Sequence, residues 1–147
     1  MIIRPGKKSD VPEVFNLIKE LAEYEKALDK VTNSVERLEL DGFGPNPVYE
    51  LFVAENENKI VGMALTYYRY STWRGKVLYL EDIIVKEALR RKGIGKKIFD
   101  FVLDHAKIQN CIGLSLQVLD WNQVGMNFYK KYEMEFDSEW VNCYLEF

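Results

Sequence analysis

Three groups of residues have types and spacings that could do chemistry. The first is Arg90-Arg91-Lys92-Gly93-Ile94-Gly95, which follows an apolar run and opens a helical pattern. At such a junction free backbone N–H groups and the helix dipole collect phosphate, and glycines let an anion approach the backbone closely. It is no Walker A loop, because Gly95-Lys96-Lys97 lacks the Ser or Thr that would hold magnesium, and no G-x-G-x-x-G follows. The competing reading is a Gly-rich turn carrying a solvated basic run.

The second group is Glu81 and Asp82, set inside Val77-Leu78-Tyr79-Leu80-Glu81-Asp82-Ile83-Ile84-Val85. Side chains alternate along a strand, so the two carboxylates are expected on opposite faces of a buried strand, where an unpaired charge is expensive. Either at least one has a chemical task, or both are satisfied by neighbouring cations and backbone N–H groups. The third group is Asp120-Trp121-Asn122 leading into Phe128-Tyr129-Lys130-Lys131-Tyr132. Phe128 and Trp121 read as core aromatics, and Tyr129 acquires a chemical reading only in combination with the other groups. The single histidine, His105, falls mid-helix; it permits no two-His metal site and reads as a structural or surface residue.

The elements that must position these groups follow from periodicity and turn residues. A short strand, Ile2 to Arg4, precedes a helix with a capping box at Asp10 and Glu13 and a stripe of Val11, Val14, Phe15, Ile18, Leu21 and Ala22. A second helix runs from an N-cap at Thr32 to Asp41-Gly42, and Gly44, Pro45 and Pro47 form a loop. Strands Tyr49 to Glu55 and Lys59 to Tyr70 form a hairpin, followed by a strand from Lys76 to Val85. The glycine loop then opens a helix reaching about Gln109, with Ile98, Phe99, Val102 and Ala106 inward. Strand Gly113 to Val118, helix Asn122 to Tyr132 and a terminal strand from about Trp140 to Phe147 complete a mixed α/β sheet with helices on both faces.

Composition narrows the function classes. The chain of 147 residues is 48% hydrophobic and shows no repeat or linker, so one domain spanning residues 1–147 is expected. A formal net charge of -3 offers no basic field for a polyanion, which argues against nucleic acid and anionic membranes as partners and favours a cationic small molecule. Cys111 and Cys143 lie far apart without a CxxC pattern, and no membrane-length apolar run occurs. Two reduced, mostly buried thiols in a cytoplasmic protein are expected.

A strand, R-x-x-G-x-G, a helix, a strand and then N-x6-Tyr on a helix together resemble the GNAT acetyltransferase superfamily over nearly the whole chain. Leu21-Ala22-Glu23-Tyr24-Glu25, Asp41-Gly42-Phe43-Gly44, Leu78 to Asp82 and Phe128-Tyr129 resemble its diamine (spermidine/spermine) acetyltransferase group. Tyr70-Ser71-Thr72-Trp73 and Val118 to Gln123 look more like the thialysine N-epsilon-acetyltransferase branch. The resemblance implies the GNAT acyl-CoA N-acyltransferase fold, a mostly antiparallel mixed sheet, with acetyl-CoA as co-substrate, no metal and a homodimer. It implies that Arg90, Arg91, Lys92, Gly93, Ile94 and Gly95, backed by Lys96, cradle the CoA pyrophosphate. Backbone groups of Ile83 and Val85 would pair with the pantetheine arm, and Asn122 and Lys131 would help to hold the co-substrate. Tyr129 would be the general acid, Glu81 the water-mediated base, and Tyr24, Glu25, Trp73, Asp82, Glu139 and Trp140 would surround the acceptor amine. Ser71-Thr72 stands where the spermidine/spermine enzymes carry an acidic residue, so a lysine-like or short diamine acceptor fits better than a long polyamine. Two other readings share parts of this pattern: a protein or peptide N-acetyltransferase, and a non-catalytic CoA-binding module.

Overall fold

Val53, Met63, Leu65 and Ile84 are buried on one face of three neighbouring strands, and Phe52, Ala54, Ala64 and Val85 are buried on the other. Two apolar faces require cover on both sides. The computed structural model describes residues Met1–Phe147 as two units, Met1–Gln117 and Val118–Phe147. The first contains strands β1 (Ile2–Pro5), β2 (Glu50–Asn56), β3 (Lys59–Ser71), β4 (Gly75–Val85) and β5 (Gly113–Leu116), in the spatial order β1-β2-β3-β4-β5. The first three pairings are antiparallel and β4–β5 is parallel.

Helix α1 (Val11–Tyr24) places Val14 and Leu17 against Val53, Met63, Leu65 and Ile84. Helix α2 (Val35–Phe43) adds Leu38 to a smaller cluster with Val11 and Phe15. Helix α3 (Ile94–Ile108) is the crossover that a parallel β4–β5 pair needs, and it buries Ile98, Phe99, Val102 and Ala106. It can lie close to the sheet because Gly62 has no side chain; a Cβ there would come within 2.8 Å of Ile98 Cδ1. The β2–β3 hairpin turns on Glu57 and Asn58, both at positive φ as a tight two-residue turn demands. The second unit holds α4 (Gln123–Lys130), with the side chain of Asn122 accepting from Gly125 N at 3.0 Å as its cap.

Four local expectations are corrected. Asp10 and Glu13 form no capping box at α1: Asp10 accepts from Lys7 N at 2.7 Å and from Arg4, while Glu13 accepts from Ile60 N at 3.1 Å across the sheet. Asp10 is already engaged by the preceding turn and by Arg4, and Glu13 serves a strand amide that would otherwise be left unpaired. Helix α2 is capped by Ser34, not Thr32, with the Ser34 hydroxyl accepting from Arg37 N at 3.1 Å. Residues 140–147 form no strand, and Trp140, Val141, Tyr144 and Leu145 are exposed, since a strand needs a paired neighbour that their alternation alone does not supply. Both thiols are free, Cys143 being exposed and Cys111 half-buried.

Arg4 ties β1 to its surroundings through Asp10, at 2.8 Å, and Glu55, also at 2.8 Å. The Arg4 guanidinium holds the Asp10 carboxyl below the usual carboxylate range. That contribution is fully present above the unfolded carboxyl pKa and is lost as pH falls through the depressed folded one. Arg4→Gln is expected to cost about 2 kcal/mol in urea unfolding at neutral pH, because it strands two partly buried carboxylates. It should also start acid unfolding at a higher pH than in the wild type, measured by circular dichroism.

Candidate active site

In β4, Asp82 pairs with Leu65 and Leu80 with Thr66, so Glu81 is an extra residue, a β-bulge. The bulge interrupts the alternation that would have set Glu81 and Asp82 on opposite faces. Tyr67, two residues from Leu65 on the same face of β3, donates its hydroxyl to Glu81 Oε2 at 2.9 Å, so both carboxylates reach that face. On the strand opposite, the Thr66 hydroxyl is buried without a hydrogen-bond partner.

β5 ends at Leu116, opposite Leu80. From Glu81 to Val85 the β4 edge therefore runs beyond the β5 ladder, and Ile83 and Val85, two residues apart, direct their backbone groups to the same edge. An extended arm with amide groups can pair there as a further strand would.

Glu25, immediately after α1, joins Glu81 and Asp82 in an acidic cluster. Burial, then Glu81 and Glu25, push Asp82 up to about 7. Burial and Glu81 likewise raise Glu25, and burial followed by the Glu81 hydrogen bond raises Tyr67, which keeps its proton and remains a donor. Asp82 thus carries a fractional charge near neutral pH, and a cation held among the three carboxyls would draw it toward full ionisation. Tyr67 was not singled out by the sequence; its position across the hairpin from Tyr79, with ring centroids 5.2 Å apart, was the available signal.

The glycine loop adjoins this cluster through Arg90, whose Nε donates to Val85 O at 3.0 Å and whose guanidinium lies 5.6 Å from the Tyr24 ring centroid. Arg91 and Gly93 both have positive φ, 63° and 80°, and Gly93 is the N-cap of α3. Having no side chain, Gly93 leaves the first-turn N–H groups uncapped, and nothing lies within 4 Å of where its Cβ would stand. Arg91 and Lys92 are exposed beside this opening. Left-handed turns before an open helix N-terminus make a concavity that takes phosphate, so these residues fit a pyrophosphate. Lys96 is ion-paired to Asp100 at 2.6 Å, which ties part of its charge to the helix.

Trp73 is not brought to the carboxylates. It sits in the β3–β4 turn, 87% exposed, and the six strand residues from Gly75 to Leu80 separate it from Glu81, roughly 20 Å within one chain. Within the second unit, Tyr129 is buried in the last turn of α4, with its ring edge-on to Phe128 at 5.3 Å. Asn122 caps that helix, whereas Lys131, Glu139 and Trp140 are exposed.

The sequence profile of the Acetyltransferase (GNAT) family matches residues 13–134. A thialysine N-epsilon-acetyltransferase of Bos taurus is 45% identical over 138 residues, 88% of this chain and 81% of that one. Spermidine/spermine N(1)-acetyltransferase-like protein 1 of Homo sapiens is 37% identical over 134 residues, which are 86% of this chain and 19% of the longer human protein. Among solved structures, a possible acetyltransferase of Clostridium difficile superimposes with a TM-score of 0.80 at 24% identity, covering 99% of this chain and 98% of that one.

The raised Asp82 carboxyl gives a signed prediction. A folded pKa above the unfolded one means that ionising Asp82 destabilises the fold increasingly as pH rises from about 4 to about 7. Asp82→Asn is therefore expected to raise the melting temperature above pH about 7 and to leave it nearly unchanged near pH about 4, measured by calorimetry across that range. An equal gain at both ends would show that Asp82 is not held in a disfavoured ionised form.

Proposed function

Because this chain belongs to the acetyltransferase (GNAT) family and is an N-acetyltransferase, we propose that it transfers the acetyl group of acetyl-CoA to the amino group of a small cationic amine, a thialysine, lysine-like or short diamine acceptor. The observation that carries this reading is the Glu25, Glu81 and Asp82 cluster beside the phosphate-fitting loop at the start of α3. Three neighbouring carboxyls, Glu25 and Asp82 half-buried and Glu81 exposed, attract an ammonium and disfavour an anionic acceptor. The bovine relative's name gives thialysine and the human relative's gives spermidine/spermine, both of them cationic amines.

In this reading the loop from Arg90 to Gly95 binds the pyrophosphate of acetyl-CoA, while the β4 edge at Ile83 and Val85 aligns the pantetheine arm. Asn122 and Lys131 help to hold the co-substrate. Tyr24, Glu25, Asp82, Glu139 and Trp140 receive the acceptor, and Trp73 reaches an acceptor site only from a second copy in a homodimer. The exposed apolar side chains from Trp140 to Phe147 support such a dimer, since a second copy would cover them. We place the enzyme in the cytoplasm; no helix is long and apolar enough to cross a membrane.

Proton management defines the chemistry. An alkylamine with a pKa of about 10.4 is neutral in roughly 1 of 2,500 molecules at pH 7, and only that form attacks. Glu81, through water, takes the proton from the ammonium, and the free amine adds to the thioester carbonyl. Collapse of that adduct breaks the carbon–sulfur bond, and Tyr129 gives its proton to the departing thiolate. Tyrosine and glutamate together thus replace the histidine that other acyl transferases use.

Tyr129→Phe is expected to retain acetyl-CoA binding by calorimetry while the turnover rate falls by about 10² to 10⁴. An unchanged rate would remove Tyr129 from the acid role. Glu81→Gln should move the activity optimum to higher pH, where more acceptor is already neutral, and a profile identical to wild type would reassign the base. Acceptor class is read by mass spectrometry of products from thialysine, lysine, putrescine, spermidine, spermine and a lysine peptide. Clear preference for one small amine is expected, whereas preference for the peptide would make the chain a protein acetyltransferase.

A further inference from the structure

Away from the glycine loop, the opposite edge of the sheet has a cavity of its own. β1 pairs with β2 only as far as Pro5 opposite Phe52, with one more bond from Gly6 N to Leu51 O at 2.7 Å. The start of β2 continues past that point, and a cavity of about 460 Å³ fills the space, within the range of small-molecule sites. Its walls include the rings of Phe43, Tyr49, Phe52, Tyr67 and Phe101.

The charged part of the wall is Glu50 with His105. Glu50 Oε1 lies 3.2 Å from His105 Nε2, and the Tyr68 hydroxyl lies 3.5 Å from the same nitrogen. Phe52 meets the imidazole edge-on at 4.9 Å. The His105 side chain is 17% exposed and that of Glu50 39%, so the imidazole is fixed while the carboxylate keeps an open side. No Lys or Arg lines the cavity. The ammonium of Lys76 lies over the Tyr68 ring at 4.5 Å and donates to Gln109 O at 2.9 Å.

An aromatic wall with one partly exposed carboxylate, whose only basic neighbour in the lining is His105, and with no Lys or Arg selects a cation with an apolar body. Ring faces attract an ammonium electrostatically, more strongly when it is partly desolvated, and the carboxylate supplies the point charge. We infer that this cavity is a second binding site, specific for a small organic ammonium that rests on the aromatic walls with its charge at Glu50. It is built only from residues of the first unit and uses none of Glu25, Glu81 and Asp82. It shares Tyr67 with the acceptor cluster but none of that cluster's carboxyls, so the proposed acetyl transfer does not require it, and the sole histidine of the chain is the residue that orients Glu50.

The test is calorimetric titration of the full chain, without acetyl-CoA, using choline, which has no N–H to acetylate, and its uncharged isostere in which carbon replaces nitrogen. Saturable choline binding is expected for wild type and for Glu81→Gln, with Glu50→Gln about tenfold weaker or more, and the isostere weaker by a similar factor. Loss of binding in Glu81→Gln with Glu50→Gln unaffected would place the cation in the acceptor cluster and overturn the inference. Equal binding of the isostere, or no saturable binding at millimolar choline, would overturn it as well. Should Glu50→Gln fail to fold by circular dichroism, Val48→Trp at the exposed mouth serves instead. It is expected to block choline with an unchanged unfolding midpoint, and undiminished binding in that variant would be equally fatal.

Discussion

Like charges held close together at the edge of the core, Glu25 and Asp82 half-buried beside an exposed Glu81, are the constraint around which this molecule is organised. A regular β4 would separate Glu81 from Asp82 by turning them to opposite faces. The extra residue at Glu81 turns them to the same face, and Glu25 completes the cluster from the end of α1. Two unit charges about 6 Å apart interact by about 3 kcal/mol at an effective dielectric of 20, so the cluster relieves itself partly by leaving Asp82 protonated. The Tyr67 hydroxyl gives Glu81 a donor, while Arg90 engages Tyr24 and the Val85 carbonyl and Arg69 lies over the Tyr79 ring, neither forming an ion pair with the three acids. The proposed cation site thus rests on a shortage of internal cations.

The same strand carries the other half of the arrangement. β5 stops opposite Leu80, one residue before the bulge, so the β4 edge is released from pairing where the carboxylates begin. Five residues later the chain leaves the sheet at Val85 and enters the turn that starts α3. Gly62 lets that helix settle onto β3, and Gly93 leaves its N-terminus open. Acid cluster, free strand edge and anion-accepting helix end therefore follow one another along a single stretch of chain, and the sheet fixes their separations.

Much of this was legible in the sequence. Apolar alternation gave β2, β3 and β4, the 3.6-residue stripe gave α1 and α3, and the glycine loop was placed correctly at the start of α3, because each signal is local. The bulge was not legible, since Val77 to Val85 has no glycine or proline to mark it and the extra residue is defined only against β3. For the same reason Asp10 and Glu13 suggested a cap whose real partners, Arg4 and Ile60, lie on strands. The expected strand at Trp140 to Phe147 had the residue types of a strand but forms none, because pairing is a property of the neighbour and not of the segment. His105 was read as structural, and its contact with Glu50 across 55 residues is invisible to any local pattern.

The size of the acidic cluster bears on which acceptor the proposed reaction can use. Three carboxyls reached from one bulge and one helix end form a compact negative region, whose attraction for an ammonium falls off over a Debye length of about 8 Å at physiological ionic strength. A second ammonium several methylenes away would lie at the margin of that region and gain little. The partial protonation of Asp82 sharpens the preference: binding one positive charge ionises Asp82, so the first ammonium receives the induced charge and a distant second one does not. Ser71 and Thr72 add no carboxylate at the hairpin tip to compensate. In the proposed reaction such a site would discriminate by charge density and would favour a short acceptor with one ammonium well placed over a long one with several.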